Sequence, residues 1–340
     1  MSLTLLKPFQ KSRRAVPAHV LLREDNPPEA LDASLFIPAV LDGSAAEKAG
    51  YSNYSYWRST FRMFGKNKMA MFFLSVLIIM LLFTFIQPLL PGQKSPTIIN
   101  NDPVTGYQLR NIQPNSEYWF GTNSIGQDLW SRLWAGTRTS LFIGVTVAFF
   151  EALIGILMGA VWGYVRKLDR IFTEIYNVLD NIPTTIIRIL ITYIMRPSLF
   201  TVTFVMCLTG WMDMARFIRN QIVIIRDREY NLASRCLGTP TGQIISKNLL
   251  PYLVSVIMLR AALAIPGAIG TEVFLTYIGL GLPVDIPALG NLINEGRQVM
   301  LNPTMTYQLI FPAVAVSIIT VSFYMIGNGF SDAADPRNHV

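Results

Sequence analysis

The sequence predicts an all-α integral membrane protein with six transmembrane helices. Three observations carry that prediction. Six segments are apolar over about the 20 residues that a helix needs to cross a bilayer core roughly 30 Å thick. Only 14% of the 340 residues are charged, against about a quarter in soluble domains, so much of the surface faces lipid. Lys and Arg are also segregated between alternate connecting segments, as membrane orientation requires. The basic residues behind the formal charge of +7 are placed as that topology requires. The basic residues lie beside apolar runs, which argues against nucleic acid as their target.

Residues 1–68 are expected to be a cytoplasmic segment of loose structure. They are mixed and polar, and Pro27, Pro28 and Pro38 interrupt any helix. Their first basic residues are not followed by the apolar stretch of a signal peptide. The first span is predicted at residues 69–90. Residues 91–135 form a long outside loop. Trp119, Trp130 and Trp134 near its end favour the membrane interface, which predicts a short interfacial helix over residues 128–134. The core unit is predicted over residues 136–330, with spans at 139–164, 171–195, 199–217, 251–282 and 307–330. Arg196-Pro197-Ser198 makes a tight hairpin between the third and fourth of the six spans, and residues 331–340 form a cytoplasmic tail. With the N-terminus inside, 20 Lys and Arg fall in inside segments and six in outside ones, which sets both termini in the cytoplasm.

Metal and hydrolytic chemistry find little support. The two cysteines are Cys207, in an apolar run, and Cys236, in a polar loop. The two histidines, His19 and His339, lie near opposite ends of the chain. No His/Cys cluster has zinc-ligand spacing, and no centrally placed base accompanies a nucleophile. The chain is expected to be non-catalytic, with no metal or cofactor of its own.

Ionisable residues inside predicted spans are expensive and face protein or water. Glu151, Arg188 and Glu272 are such residues, and Arg260 lies toward the inner leaflet, where its side chain can snorkel. Two readings stand for the first three: a wet translocation path, or intramembrane pairing that fixes helix packing. Glu151 and Arg188 fall within about 7 Å in depth at 1.5 Å rise per residue, so either reading accommodates them. Gly155, Gly159 and Gly163 recur every four residues, which suits close helix approach or a hinge. Pro266 with Gly267 and Gly270 predicts a kink in the fifth span.

The segment over residues 226–251 is the most informative. Tyr230, Ala233 and Leu237 recur at helical spacing, and Gly238 suits the left-handed position that ends a helix. Thr239 is placed to cap a second helix, with Pro240 in its first turn. Ile244, Ile245, Asn248 and Leu249 would share a face of it. Two short helices joined by a glycine turn are therefore expected. They are either an amphipathic loop on the membrane or a rigid element docking a cytoplasmic partner.

Glu229, Ala233, Gly238, Ile244 and Pro251 stand in the order and spacing of the cytoplasmic "EAA" loop, so the chain resembles bacterial ABC importer permeases. Ser234 stands where that pattern has a second small residue. Residues 120–128, Phe-Gly-Thr-Asn-Ser-Ile-Gly-Gln-Asp, resemble the "GTD-x-x-GRD" stretch of C-type dipeptide and oligopeptide permeases. Asn123 and Gln127 replace its Asp and Arg. Residues 274–283, 287–290 and 331–337 resemble the "LSFLGLG", "P-x-x-G" and terminal "RDALDPR" stretches of the same branch. The wording around Tyr56 and Glu229 is similar to Gram-positive oligopeptide systems.

The resemblance implies a type I importer of the MetI-like permease fold, with the 226–251 loop as its ATPase-coupling element. Glu229, Ala233, Gly238, Thr239, Ile244 and Pro251 would be the coupling residues. It also implies a B-type permease partner, two ATPase subunits that use ATP and Mg, an extracellular peptide-binding lipoprotein, and oligopeptide cargo. Dipeptides or nickel chelates are alternative cargoes on the same machinery. The chain has no Gly-x-x-x-x-Gly-Lys-Ser/Thr phosphate loop of its own. A reading from another class, an ATP-independent secondary carrier, would leave the 226–251 loop with no docking partner.

Overall fold

The computed structural model describes residues 56–335. The prolines expected to break up the N-terminal segment, both histidines and Arg337 lie outside the described residues.

Helix α1 (Tyr56–Lys66) leads through one residue into α2 (Lys68–Ile86). That residue, Asn67, has extended backbone and accepts from the Ala70 N–H at 3.1 Å, so it caps α2. A 3₁₀ turn at Gln87–Leu89 closes the first span. Next comes an irregular loop and then α3 (Leu129–Tyr164), capped by Asp128 through the Ser131 N–H at 2.9 Å. The helix expected over residues 128–134 is thus not separate. It is the first two turns of a 36-residue helix, about 54 Å long at 1.5 Å per residue. Asp128 supplies the start signal, and no proline follows to supply a stop.

The expected third span is corrected. It is two helices, α4 (Arg166–Asp180) and α5 (Thr184–Met195), bent by 73°. Pro183 marks the break, because it has no N–H to continue α4 and its own backbone is extended, with ψ 118°. The halves also differ in character. α4 carries Arg166, Lys167, Asp169, Arg170 and Glu174, whereas α5 is apolar apart from Arg188 and its threonines and Tyr193. After the Arg196-Pro197-Ser198 hairpin, Ser198 caps α6 (Leu199–Ile225) through the Thr201 N–H at 3.0 Å. α6 runs past the expected end at residue 217.

Beyond α6 come α7 (Glu229–Cys236) and α8 (Thr241–Ile244). The latter continues through a π turn (Ile245–Leu249) and a 3₁₀ turn (Pro251–Leu253) into α9 (Val254–Tyr277). α9 is helical straight through Pro266. α10 (Leu289–Val299) is an element that the sequence reading did not anticipate, and α11 (Tyr307–Ala334) ends the fold. Among the described residues four helical stretches are long and apolar enough to cross a membrane, and the bent α4–α5 pair makes a fifth. α6 has the length, at 27 residues, but its second half holds Asp213, Arg216 and Arg219.

α3 is the central pillar, packing on α6 and α9; α9 packs on α10 and α11, and α11 on α1 and α2. The α3–α6 seam explains the glycine repeat. A Cβ at Gly155 would lie 2.5 Å from Met214 Cβ, and one at Gly163 would lie 2.9 Å from the Arg219 carbonyl oxygen. One at Gly159 would collide with the Ala215 carbonyl. Of the two readings, close packing is the one the geometry favours.

Candidate functional site

The 226–251 segment is built as a rigid turn. α7 ends in a double hydrogen-bonded closure: Thr239 N–H donates to Ser234 O at 3.1 Å and Gly238 N–H to Arg235 O at 2.9 Å. Gly238 has φ +77°, the left-handed backbone that this motif demands. Thr239 does not cap the next helix as expected. Pro240 takes the N-cap position without a side-chain hydrogen bond, and Thr241 opens α8. The second helix is also not a free-standing one, since it runs on into α9. Ile244 and Leu249 are fully buried with Met214, Ile218, Ile222 and Ile257. Glu229, Ala233 and Pro251 stay exposed, as do Tyr230, Leu232 and Leu237. One side of the loop is therefore bolted to the bundle, and the other offers an apolar and acidic tip.

The bolts were missed in the sequence. Asn231 is fully buried; its Nδ2 donates to Ile225 O at 2.9 Å, and its Oδ1 accepts from Asn248 Nδ2 at 3.3 Å. It ties the end of α6 to the return toward α9. Arg235 donates to the Tyr164 hydroxyl at 3.0 Å and to Arg226 O at 3.0 Å. Arg226 reaches Gly163 O at 2.8 Å and Asp169 at 3.5 Å, and Arg219 pairs with Asp169 at 2.7 Å. Asp227 receives Arg166 at 3.0 Å, Arg226 at 3.4 Å and Arg235 at 3.5 Å. Slight burial raises the pKa of Asp227, but its hydrogen bonds and charge pairing with Arg166 and Arg226 outweigh that and hold it below the usual carboxylate range.

Glu151 and Arg188 line one cavity of about 280 Å³, together with Asp213 of α6 and Arg260 of α9. Among the described residues no direct ion pair closes between Glu151 and Arg188, which face each other across the shared cavity. Arg188 Nε instead donates to Thr209 at 2.8 Å, and Glu151 lies against Gly210, where any Cβ would displace it. Arg260 lies with its guanidinium 5.7 Å from the Phe217 ring. Two cations and two carboxylates thus surround a polar space between apolar helices. Thr271, Gly267 and Ala264 continue its wall along α9.

Glu272 is not part of that cavity. It is completely buried, accepts from Thr276 at 3.1 Å, and receives the Gly290 N–H at the start of α10. Gly290 leaves the room: a Cβ there would lie 2.5 Å from Glu272 Oε1. Glu272 fixes α10 to α9 and fits the packing reading.

The end of the bundle carrying α10 holds a second polar knot. Arg132 has a side chain with no exposure and pairs with Glu295 of α10 at 2.6 Å. Asn123 donates to Glu295 at 3.0 Å and to Gln127 at 3.1 Å, and Gln127 accepts from Arg132. The two departures from the resembled motif, Asn123 and Gln127, are thus neighbours in space. They knit the long loop to α3 and α10.

Apolar helices long enough to cross a membrane, packed around a charge-lined cavity, make this a helical membrane protein. Comparison with known proteins makes this specific. Residues 152–340 match the family described as "Binding-protein-dependent transport system inner membrane component", and residues 55–105 match the "N-terminal TM domain of oligopeptide transport permease C". The chain is 39% identical to the oligopeptide transport system permease protein AmiD of Streptococcus pneumoniae, over 88% of this chain and 95% of that one. It is 33% identical to the oligopeptide permease OppC of Bacillus subtilis, covering 89% and 97%, and 36% identical to the dipeptide permease DppC of the same species, covering 86% and 89%. The chain belongs to the binding-protein-dependent transport system inner membrane component family and is a transmembrane permease subunit.

Proposed function

We propose that this chain forms one half of a heterodimeric pore in an ATP-driven oligopeptide importer of the bacterial plasma membrane. It crosses six times, with α4–α5 as the third span and α6 as the fourth, and both termini are cytoplasmic. The 27 residues of α6 give about 40 Å of helix, ample for a crossing. The 20-to-6 distribution of Lys and Arg supports the orientation. The observation that carries the cargo is the near full-length likeness to permeases named for oligopeptides. Dipeptides are the second reading, favoured by the similarly extensive likeness to DppC.

In this reading a B-type permease completes the pore, and of two ATPase subunits one docks on the exposed tip formed by Glu229, Tyr230, Ala233 and Leu237 and the other on the partner permease. This chain contributes no catalytic group; ATP and Mg act in those subunits. A peptide-binding lipoprotein delivers cargo from outside. The bolted side of the loop supports the coupling role, because a rigid turn transmits a displacement that a flexible one would absorb. The charge-lined cavity is the segment of the path that contacts the peptide backbone or termini.

Purification of this chain from its native membrane tests the assembly. A second permease and two phosphate-loop ATPases should co-purify, and oligopeptide uptake should require ATP. A transport-competent preparation without ATPases would overturn the reading. The path assignment has its own test. Glu151→Gln keeps the side-chain volume and removes one charge from the cavity, so the variant should insert at the normal level while uptake falls on the order of tenfold. Normal uptake together with lowered thermal stability would instead assign Glu151 to packing.

A further inference from the structure

Helix α1 has no part in the path or the loop, yet its three faces are sharply divided. Thr60 and Phe64 are buried, and Phe330 of α11 holds the rings of Phe64 and Phe61 at 5.7 and 5.9 Å. Arg58, Arg62 and Lys66 recur every four residues and so form one stripe along the helix. All three are exposed, and none has an ion-pair partner among the described residues. Between the buried and basic faces lies an aromatic one, with Phe61 61% and Trp57 49% exposed.

The position of α1 is fixed by its neighbours. Asn67 alone separates it from the apolar span α2, and α1 and α2 both pack on α11. Gly329 allows the elbow to close: a Cβ there would lie 2.5 Å from Ala70 Cβ and 3.1 Å from Asn67 Nδ2. The three cations thus sit on a helix that directly precedes an apolar span and is held in place before anything binds. Prior ordering of this kind removes much of the entropic cost of binding.

We propose that α1 is a preformed docking strip for anionic phospholipid, with Arg58, Arg62 and Lys66 facing the headgroup phosphates and Phe61 entering the boundary below them. Aromatic and basic stripes side by side are what an interfacial helix needs. An acidic protein segment would satisfy the cations but would give Phe61 no reason to face outward beside them. The inference depends on α2 being a membrane span, and on neither the cargo nor the coupling role.

The test uses the complete transporter in nanodiscs, with Phe61→Trp as a fluorescent reporter and the unaltered protein as background. Brominated phosphatidylglycerol should quench the added tryptophan several-fold more than brominated phosphatidylcholine at equal mole fraction. A basic residue near an anionic surface contributes about a fivefold preference. Adding Arg58→Gln, Arg62→Gln and Lys66→Gln should make the two lipids equal quenchers while quenching persists. Equal quenching in the charged protein overturns the proposal, and no quenching by either lipid shows that protein covers the strip and overturns it as well. The reporter touches the Phe330 contact, so co-purified phosphatidylglycerol is also measured without it. The triple variant should retain several-fold less lipid, and an unchanged amount counts against the strip.

Discussion

Gly238→Val is expected to reduce solute uptake at least tenfold while the chain still inserts and folds. The cost is conformational, not steric, because a Cβ at Gly238 would meet nothing within 4 Å. What fails is the backbone: φ is +77°, where a β-branched residue is strongly disfavoured. Releasing that strain breaks the Thr239-to-Ser234 and Gly238-to-Arg235 closures and re-aims the exposed tip. Asn231 and the Asp227 network lie before the turn, so α7 keeps its hold on the bundle. Gly238→Asn is the control, since Asn tolerates the left-handed region, and it should retain about half of the uptake or more. Uptake into vesicles and the amount of co-purified ATPase measure both variants. A valine variant with normal uptake would remove the turn from the coupling mechanism.

The spans were legible because hydropathy alone specifies them: α2, α3, α9 and α11 lie where apolar runs predicted. Boundaries set by local chemistry were less so. Pro183 was visible in the sequence, yet a continuous apolar count ran across it, and only the 73° bend separates α4 from α5. The Trp-rich stretch before residue 135 suggested an interfacial element, whereas Asp128 starts an uninterrupted helix there. α10 was hidden because its pattern is short, and its partner, the Glu272 carboxylate at Gly290, is distant in sequence. The left-handed glycine was legible because it is a local requirement of one residue.

The site divided in the same way. Glu151 and Arg188 were correctly expected to share an environment, because depth follows from helical rise. Their lack of direct pairing was not legible, since that depends on helix rotation and on Thr209 of α6 accepting from Arg188. Glu272 looked equivalent to Glu151 in sequence and is not. A buried carboxylate at a helix N-terminus serves that helix, and nothing in a single sequence reports which helix end it will meet. Asn231, held by residues six and seventeen positions later or earlier, belongs to the same class of long-range contact.

The strongest such contact supports the largest expected loss of stability. Glu295→Ala leaves the guanidinium of Arg132 buried without a counter-charge, which should cost about 3–5 kcal/mol. Gln127 still accepts from Arg132, but a neutral amide supplies no counter-charge. Arg132 Nε has no partner already, and the Pro96 and Val284 carbonyls stand at 3.5 Å. Thermal unfolding in detergent should report the loss. Adding Arg132→Met should recover most of it, because removing both charges removes the desolvation problem that the pair was solving. If the double variant is as unstable as the single one, the pair acts through shape rather than charge. Asn123 and Gln127 refine the same argument. Asn123→Asp sets a carboxylate against Glu295, and Gln127→Arg sets a second guanidinium against Arg132, so each alone should destabilise. Together they place opposite charges where the two amides now meet at 3.1 Å, and the double variant should be more stable than the sum of the singles. The neutral pair in this chain and the charged pair of the resembled motif are then two solutions for the same knot, which fastens the long loop to α3 and α10.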